Sequence, residues 1–183
     1  ISGFLITRLL IAEQENSGTI KLKHFYVRRL VRLYPALLFM VLGSTAIFLA
    51  AGFGGPSIME FIAAIGYFTN VFQVYSAAAA SDMPFMSWTH LWSLAVEEHF
   101  YMLFPLVILA FGSNVDRLLK ILLTLLVAVP LWRLIAFTSF DFSTQTYNYM
   151  MTDARIDSIV WGCLFTVALH KAQSISKFRT LIG

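Results

Sequence analysis

Two carboxylates and two histidines lie inside one largely apolar stretch, His90-Leu-Trp-Ser-Leu-Ala-Val-Glu-Glu-His-Phe-Tyr101, which continues to Phe111. A run of about 20 mostly apolar residues reads as a membrane-spanning helix, and ionisable groups inside such a helix are costly. They are usually there for function. Residues three and four apart share a helix face, so His90, Ser93, Glu97 and Tyr101 form one polar stripe. Glu98 falls round the helix, nearer Leu91, Leu94 and Met102. Glu97 is therefore the better-placed acid, able to exchange protons or orient a histidine. The plainer alternative is a Glu satisfied by a neighbouring helix as structural glue. Trp92 at the helix mouth is explained by interfacial anchoring. His90 beside it is carried as a candidate catalytic residue.

Arg28-Arg-Leu-Val-Arg32 is the second constellation. On a helix Arg29 and Arg32 are i,i+3 and Arg28 and Arg32 are i,i+4, which would present the three as a prong. Guanidinium forks grip phosphates bidentately, which suits a phosphorylated cytoplasmic co-substrate. A topology anchor on lipid headgroups is the competing use. The third constellation is Thr152-Asp-Ala-Arg-Ile-Asp157. Thr152 or Asp153 could cap the helix that follows. Arg155 and Asp157, two apart, do not face each other, so each needs a partner elsewhere.

These groups must be positioned by membrane helices. Of the 183 residues 58% are hydrophobic and 13% charged, against about 25% charged in a soluble domain. The mean hydropathy is +0.75. The expectation is an all-α, polytopic transmembrane bundle with helical segments at about 1–10, 34–53, 58–75, 91–111, 118–137 and 156–170. Pro35 suits the first turn of the second segment, Gly52-Phe-Gly-Gly-Pro56 breaks it, and Pro130 predicts a kink. Ser76–Ser87 and Asp141–Thr152 read as loops. If segment 58–75 does not cross, eleven of the 13 Lys and Arg fall on one side, leaving Arg133 and Arg155 near the outer face. The single Cys163 excludes a disulfide framework, and no metal-ligand spacing occurs. The formal charge of +3 clusters beside apolar segments and does not call for a nucleic-acid partner.

Taken together, Ile1-Ser-Gly-Phe-Leu-Ile-Thr7, Tyr26-Val-Arg-Arg-Leu-Val-Arg-Leu-Tyr-Pro35 and the His90–Tyr101 stretch resemble acyltransferase family 3, the bacterial membrane O-acyltransferases. Arg155-Ile-Asp157 followed by Gly162 is similar to that family's fourth pattern, and the likeness runs in order over essentially the whole chain. It implies a multi-pass inner-membrane enzyme that moves an acyl group, often acetyl, from acyl-CoA to a hydroxyl of a cell-envelope carbohydrate or glycolipid. No bound cofactor is implied. The family's Arg-x-x-Arg donor motif falls on Arg29 and Arg32, and its acidic position on Glu97, with Glu98 at a variable site. The family's proposed catalytic Arg and His lie on a helix upstream of the Ser-Gly-Phe-Leu-Ile stretch, and His24, His90, His99 and His170 do not match that position. The chain opens at Ile1, within what reads as the end of an apolar helix, and is expected to be the front-middle of a longer enzyme. Alone, it is expected to be inactive. The reading from another class is a transporter or lipid flippase whose intramembrane acids bind protons or a polar substrate.

Overall fold

In the computed structural model residues 1–79, 88–139 and 144–182 are described. Among them nine helices form and no strand: α1 (Ser2–Ser17), α2 (Leu22–Ala50), α3 (Ile58–Ile65), α4 (Thr69–Ala79), α5 (Leu91–Phe111), α6 (Val115–Ser139), α7 (Thr144–Met150), α8 (Thr152–Arg155) and α9 (Asp157–Ile182). The chain is an all-α, polytopic membrane protein. Three helices, α2, α5 and α6, are long and apolar enough to cross a bilayer, with mean hydropathies of 2.0, 1.6 and 2.1 over their most apolar windows. Of those windows 39% is buried in α5, against 11% in α2 and 17% in α6. Of these three, the helix carrying both acids is the one most enclosed by its neighbours.

Several bounds differ from the sequence expectation, each for a local reason. α1 runs on through the polar residues 13–17 and stops only at Gly18, whose φ of +71° suits a left-handed cap and whose amide bonds Gln14 O. α2 begins at Leu22, not near Tyr34, so Pro35 lies inside it and the basic residues ride on its first turns. At about 1.5 Å per residue, its 29 residues make it roughly 43 Å long, more than the bilayer core needs. The apolar run 58–75 is two helices, of 8 and 11 residues, broken at Tyr67 with a φ of 59°. Neither alone reaches across a membrane. Ser57 caps the first of them by accepting from Glu60 N at 3.1 Å.

Residues 76–79 of the expected Ser76–Ser87 loop belong to α4, and the rest lies outside the described residues. Most of the expected loop Asp141–Thr152 is the short helix α7, with 140–143 likewise outside. α9 does not stop near residue 170 but carries His170 and Lys171 on its own turns.

Apolar burial drives no helix association in lipid, so close backbone approach matters more. α1 and α9 achieve it with small residues. A Cβ on Gly3 would overlap the Ile159 carbonyl oxygen, and one on Gly162 would come within 2.8 Å of Phe4 N. Thr166 Oγ1 donates to Phe4 O at 3.2 Å across the same crossing. Leu10, Phe100, Phe104, Ile108, Leu122, Val160 and Val167 fill the core between α1, α5, α6 and α9. A second, smaller core joins Leu37 and Val41 of α2 to Ala64, Trp88 and Leu91, and Trp88 Nε1 donates to Ser44 Oγ at 2.8 Å. At one end of the bundle His170 meets Glu15 and Lys171 meets Asp116. The opposite end gathers the start of α5, the end of α6, and α7 and α8.

Candidate active site

The two adjacent acids of α5 are engaged by two different helices. Glu97 Oε1 accepts from Ser2 Oγ of α1 at 3.1 Å. Glu98 is gripped by Arg29 of α2: Nε lies 3.1 and 3.3 Å from its two oxygens, and Nη2 lies 2.9 Å from Oε1. The Arg29 guanidinium also sits over the Tyr101 ring, 3.2 Å from its centroid. Glu98 is the eighth residue of α5, about 11 Å from the helix start, so this ion pair lies well inside the span. Both partners are largely shielded, with 22% and 13% side-chain exposure, and a bidentate fork makes a shielded pair tolerable. One turn along, Tyr26 Oη donates to Met102 O at 2.7 Å. Pro105 has no amide to give Tyr101 O, the neighbouring carbonyl.

A polar knot adjoins the pair. His99 Nδ1 and Asn70 Nδ2 lie 2.7 and 3.0 Å from Thr152 Oγ1, so one hydroxyl ties α4, α5 and α8 together. Asn70 is fully buried, and Gln73, one turn on, gives Nε2 to Trp88 O at 3.3 Å. Tyr67, in the break between α3 and α4, packs edge-on against Tyr34. Burial pushes the Tyr67 hydroxyl up to about 12, helped by the charge of Glu98 and opposed by Arg29. Tyr67 thus lies within electrostatic reach of the ion pair.

The sequence candidates are distributed differently from their spacing. The expected prong does not assemble: Arg29 turns inward to Glu98, while Arg28 and Arg32 stay exposed. Of the polar stripe, Glu97 and Tyr101 meet other helices among the described residues. His90 is exposed at the start of α5, and Ser93 bonds back to His90 O. Thr152 and Asp153 do not cap α8; Thr152 serves the knot, and Asp153 accepts from Trp132 Nε1 and Tyr147 Oη. Asp157 pairs with Arg133 of α6. Arg155 reaches the acid-bearing helix only through an aromatic stack, its guanidinium 5.7 Å from the Trp92 ring and 4.9 Å from that of Tyr149.

Glu98, His99, Thr152 and Asn70 were missed as members. A signal existed for Asn70 and Gln73, which are i,i+3 in an apolar run and so share a buried polar face. For Thr152 there was none.

An all-helical membrane protein that shields an ion pair between charged residues of two separate helices is the architecture of a polytopic membrane enzyme or carrier. Residues 1–170 match the family described as an acyltransferase domain, acyltransferase family 3, and the chain belongs to it. Over 171 residues it is 34% identical to a provisionally named O-acetyltransferase of Staphylococcus aureus strain COL. Over 177 residues it is 37% identical to the O-acetyltransferase OatA of S. aureus strain NCTC 8325 / PS 47. Each comparison covers 90% of this chain, which spans 28% of the length of these curated relatives. No solved structure matches the chain.

Proposed function

We propose that this chain is part of a membrane-bound O-acyltransferase that moves an acyl group, acetyl in the simplest case, from acyl-CoA to a hydroxyl of a cell-envelope carbohydrate. It would do so as a multi-pass protein of the bacterial cytoplasmic membrane, with the His170 and Lys171 end inside. One observation carries the reading: Ser2 and Arg29, from two separate sequence motifs, converge on the adjacent acids Glu97 and Glu98 within the span. An ion pair at that depth is costly to maintain, which favours a working site over a structural one.

In the reaction the acceptor oxygen attacks the thioester carbonyl carbon, the carbon–sulfur bond breaks, and the hydroxyl proton ends on the CoA sulfur. Arg29 is the donor-facing cation, and phosphate oxygens compete with Glu98 for its fork. Exposed Arg28, nearer the inner start of α2, and exposed Arg32, about one turn beyond Arg29, supply further positive charge that steers the donor in. Glu97 orients the acceptor side, and Arg155 and Asp157 brace the outer end through Trp92 and Arg133. By the family resemblance the base is a histidine from upstream of Ser2.

The test is acyl transfer in membrane vesicles containing the complete protein, with labelled acetyl-CoA and a glycan acceptor. Transfer that is lost in Arg29→Ala at matched expression supports the reading. A labelled glycan at wild-type rate in that variant would remove Arg29 from the site, and absence of transfer in the wild type would sink the activity.

A further inference from the structure

We infer that the open cleft between α6 and α7 is a binding subsite for a neutral polyhydroxylated ring, a sugar unit of the acceptor; this rests on the proposed transfer to carbohydrate. The cleft measures 560 Å³ and is lined by Arg133, Phe137, Gln145, Asn148 and Tyr149, among others. That volume falls within the roughly 300–1,000 Å³ of small-molecule sites. It lies at the end of the bundle remote from the Lys171–Asp116 contact, on the side where the start of α5 leads down to Glu97.

Three properties of the lining select the ligand. Phe137 and Tyr149 are 60% and 53% exposed, offering flat apolar faces of the kind a sugar's C–H surface covers. Tyr149 is held as a fixed platform, its ring 4.8 Å from that of Trp92 and beside the Arg155 guanidinium. Gln145 and Asn148 each carry a donor and an acceptor on one planar group, which suits hydroxyls, themselves both donor and acceptor. Asn148 Nδ2 is directed at Arg133 O at 3.4 Å, whereas its buried Oδ1 has no donor among the described residues. An orphaned buried acceptor asks for a hydroxyl.

Charge decides the rest. Arg133, the cation of this lining among the described residues, is already paired with Asp157, so the lining itself offers an anion no uncompensated cation. Two carboxamides and an ion pair make it a poor slot for a lipid tail. A neutral polyol satisfies all three properties at once.

The experiment measures binding without any acyl donor, so that it stands apart from catalysis. The purified protein in lipid nanodiscs is titrated with maltose, cellobiose and N,N′-diacetylchitobiose, followed by saturation-transfer NMR. The variants are Gln145→Ala and Phe137→Ala, alone and combined, chosen because both side chains are outward-facing. Lys120→Ala, at the opposite end, is the control. Saturable binding of at least one disaccharide, weakened about tenfold or more in the double variant and unchanged in the control, is the expected result. No saturable binding up to about 10 mM, or equal binding in the double variant, overturns the subsite. A wild type that binds through this cleft yet never acylates a glycan keeps the subsite and removes the proposed activity. Glycan acylation with an unaltered acceptor KM in the double variant does the reverse.

Discussion

Arg29 is held twice by α5: its Nε and Nη2 donate to Glu98, and its guanidinium lies 3.2 Å from the Tyr101 ring centroid. Removing one partner of a shielded pair leaves the other charge stranded, at a cost of about 3–5 kcal/mol. Arg29→Ala should therefore lower thermal stability in detergent markedly. Arg29→Lys, which keeps charge but loses the fork and the stacking, should fall between. Arg29→Ala combined with Glu98→Gln should recover much of the stability because no charge is left uncompensated. If the double variant is as unstable as the single, a stranded Glu98 charge is not the source of the loss.

The adjacent acids should both matter for transfer. Helical periodicity favours Glu97 over Glu98, but the geometry gives Glu98 the cation on which donor binding is proposed to depend. Glu97→Gln keeps an oxygen to accept from Ser2, so any loss reports chemistry rather than packing. Glu98→Gln removes the carboxylate that positions the Arg29 fork. Each is expected to cut glycan acylation by about tenfold or more at matched expression. A Glu98→Gln enzyme that acylates normally would restore the single-acid reading.

The contrast between these acids shows how far the sequence reaches. A 3.6-residue period names the face of α5 on which each acid lies, yet not which helix packs on that face. The sequence marks Arg29 as a candidate functional cation, and the apolar run marks α5 to its observed ends. Its docking on Glu98 depends on α2 beginning at Leu22, and the basic residues hid that helical start because they read as a flank. Likewise Gly3 and Gly162 were visible only as motif letters; their contact, 159 residues apart in the chain, is a fact of packing. Thr152 had a local explanation, helix capping, that tertiary contacts displaced.

Gly3→Ala and Gly162→Ala should each loosen the α1–α9 crossing. The added methyl meets backbone atoms that cannot swing aside, and overpacking costs about 1–3 kcal/mol. Gly43→Ala is the internal control, since a Cβ there meets nothing within 4 Å. In a helix interior that change should be neutral or stabilising by up to about 1 kcal/mol. Thermal unfolding of the three in one detergent decides the matter; equal behaviour would dismiss the tight crossing.

Tyr67 gives a pH signature. Its hydroxyl is raised from 10.0 to about 12, so the folded protein holds that proton more tightly than the unfolded chain. The stabilisation is fully present below pH 10, where both states are protonated, and is lost as pH rises through about 12. Between those values wild-type stability should fall more steeply than that of Tyr67→Phe. Parallel unfolding curves across that window, or tyrosinate absorbance appearing at the ordinary tyrosine pH, would contradict the burial of this hydroxyl beside Glu98.

Thr152 should tolerate serine but not valine. Its Oγ1 serves Asn70 Nδ2 at 3.0 Å and His99 Nδ1 at 2.7 Å, so a single hydroxyl satisfies groups from two other helices. Thr152→Val keeps the shape and strands both nitrogens in an apolar setting, each at about 1–3 kcal/mol. Thr152→Ser keeps the oxygen and loses only a methyl, worth about 1 kcal/mol. Neighbouring Asp153→Asn should be milder than Thr152→Val, because Asp153 is exposed and its partners Trp132 and Tyr147 can still donate to a carboxamide oxygen. Thermal unfolding of the three variants, with glycan acylation assayed alongside, separates the outcomes. The expected order of stability is Ser above Asn at 153, and both above Val. A Thr152→Val protein as stable as the serine variant would mean that His99 and Asn70 find other partners, and that the knot does not fix α8 against α5.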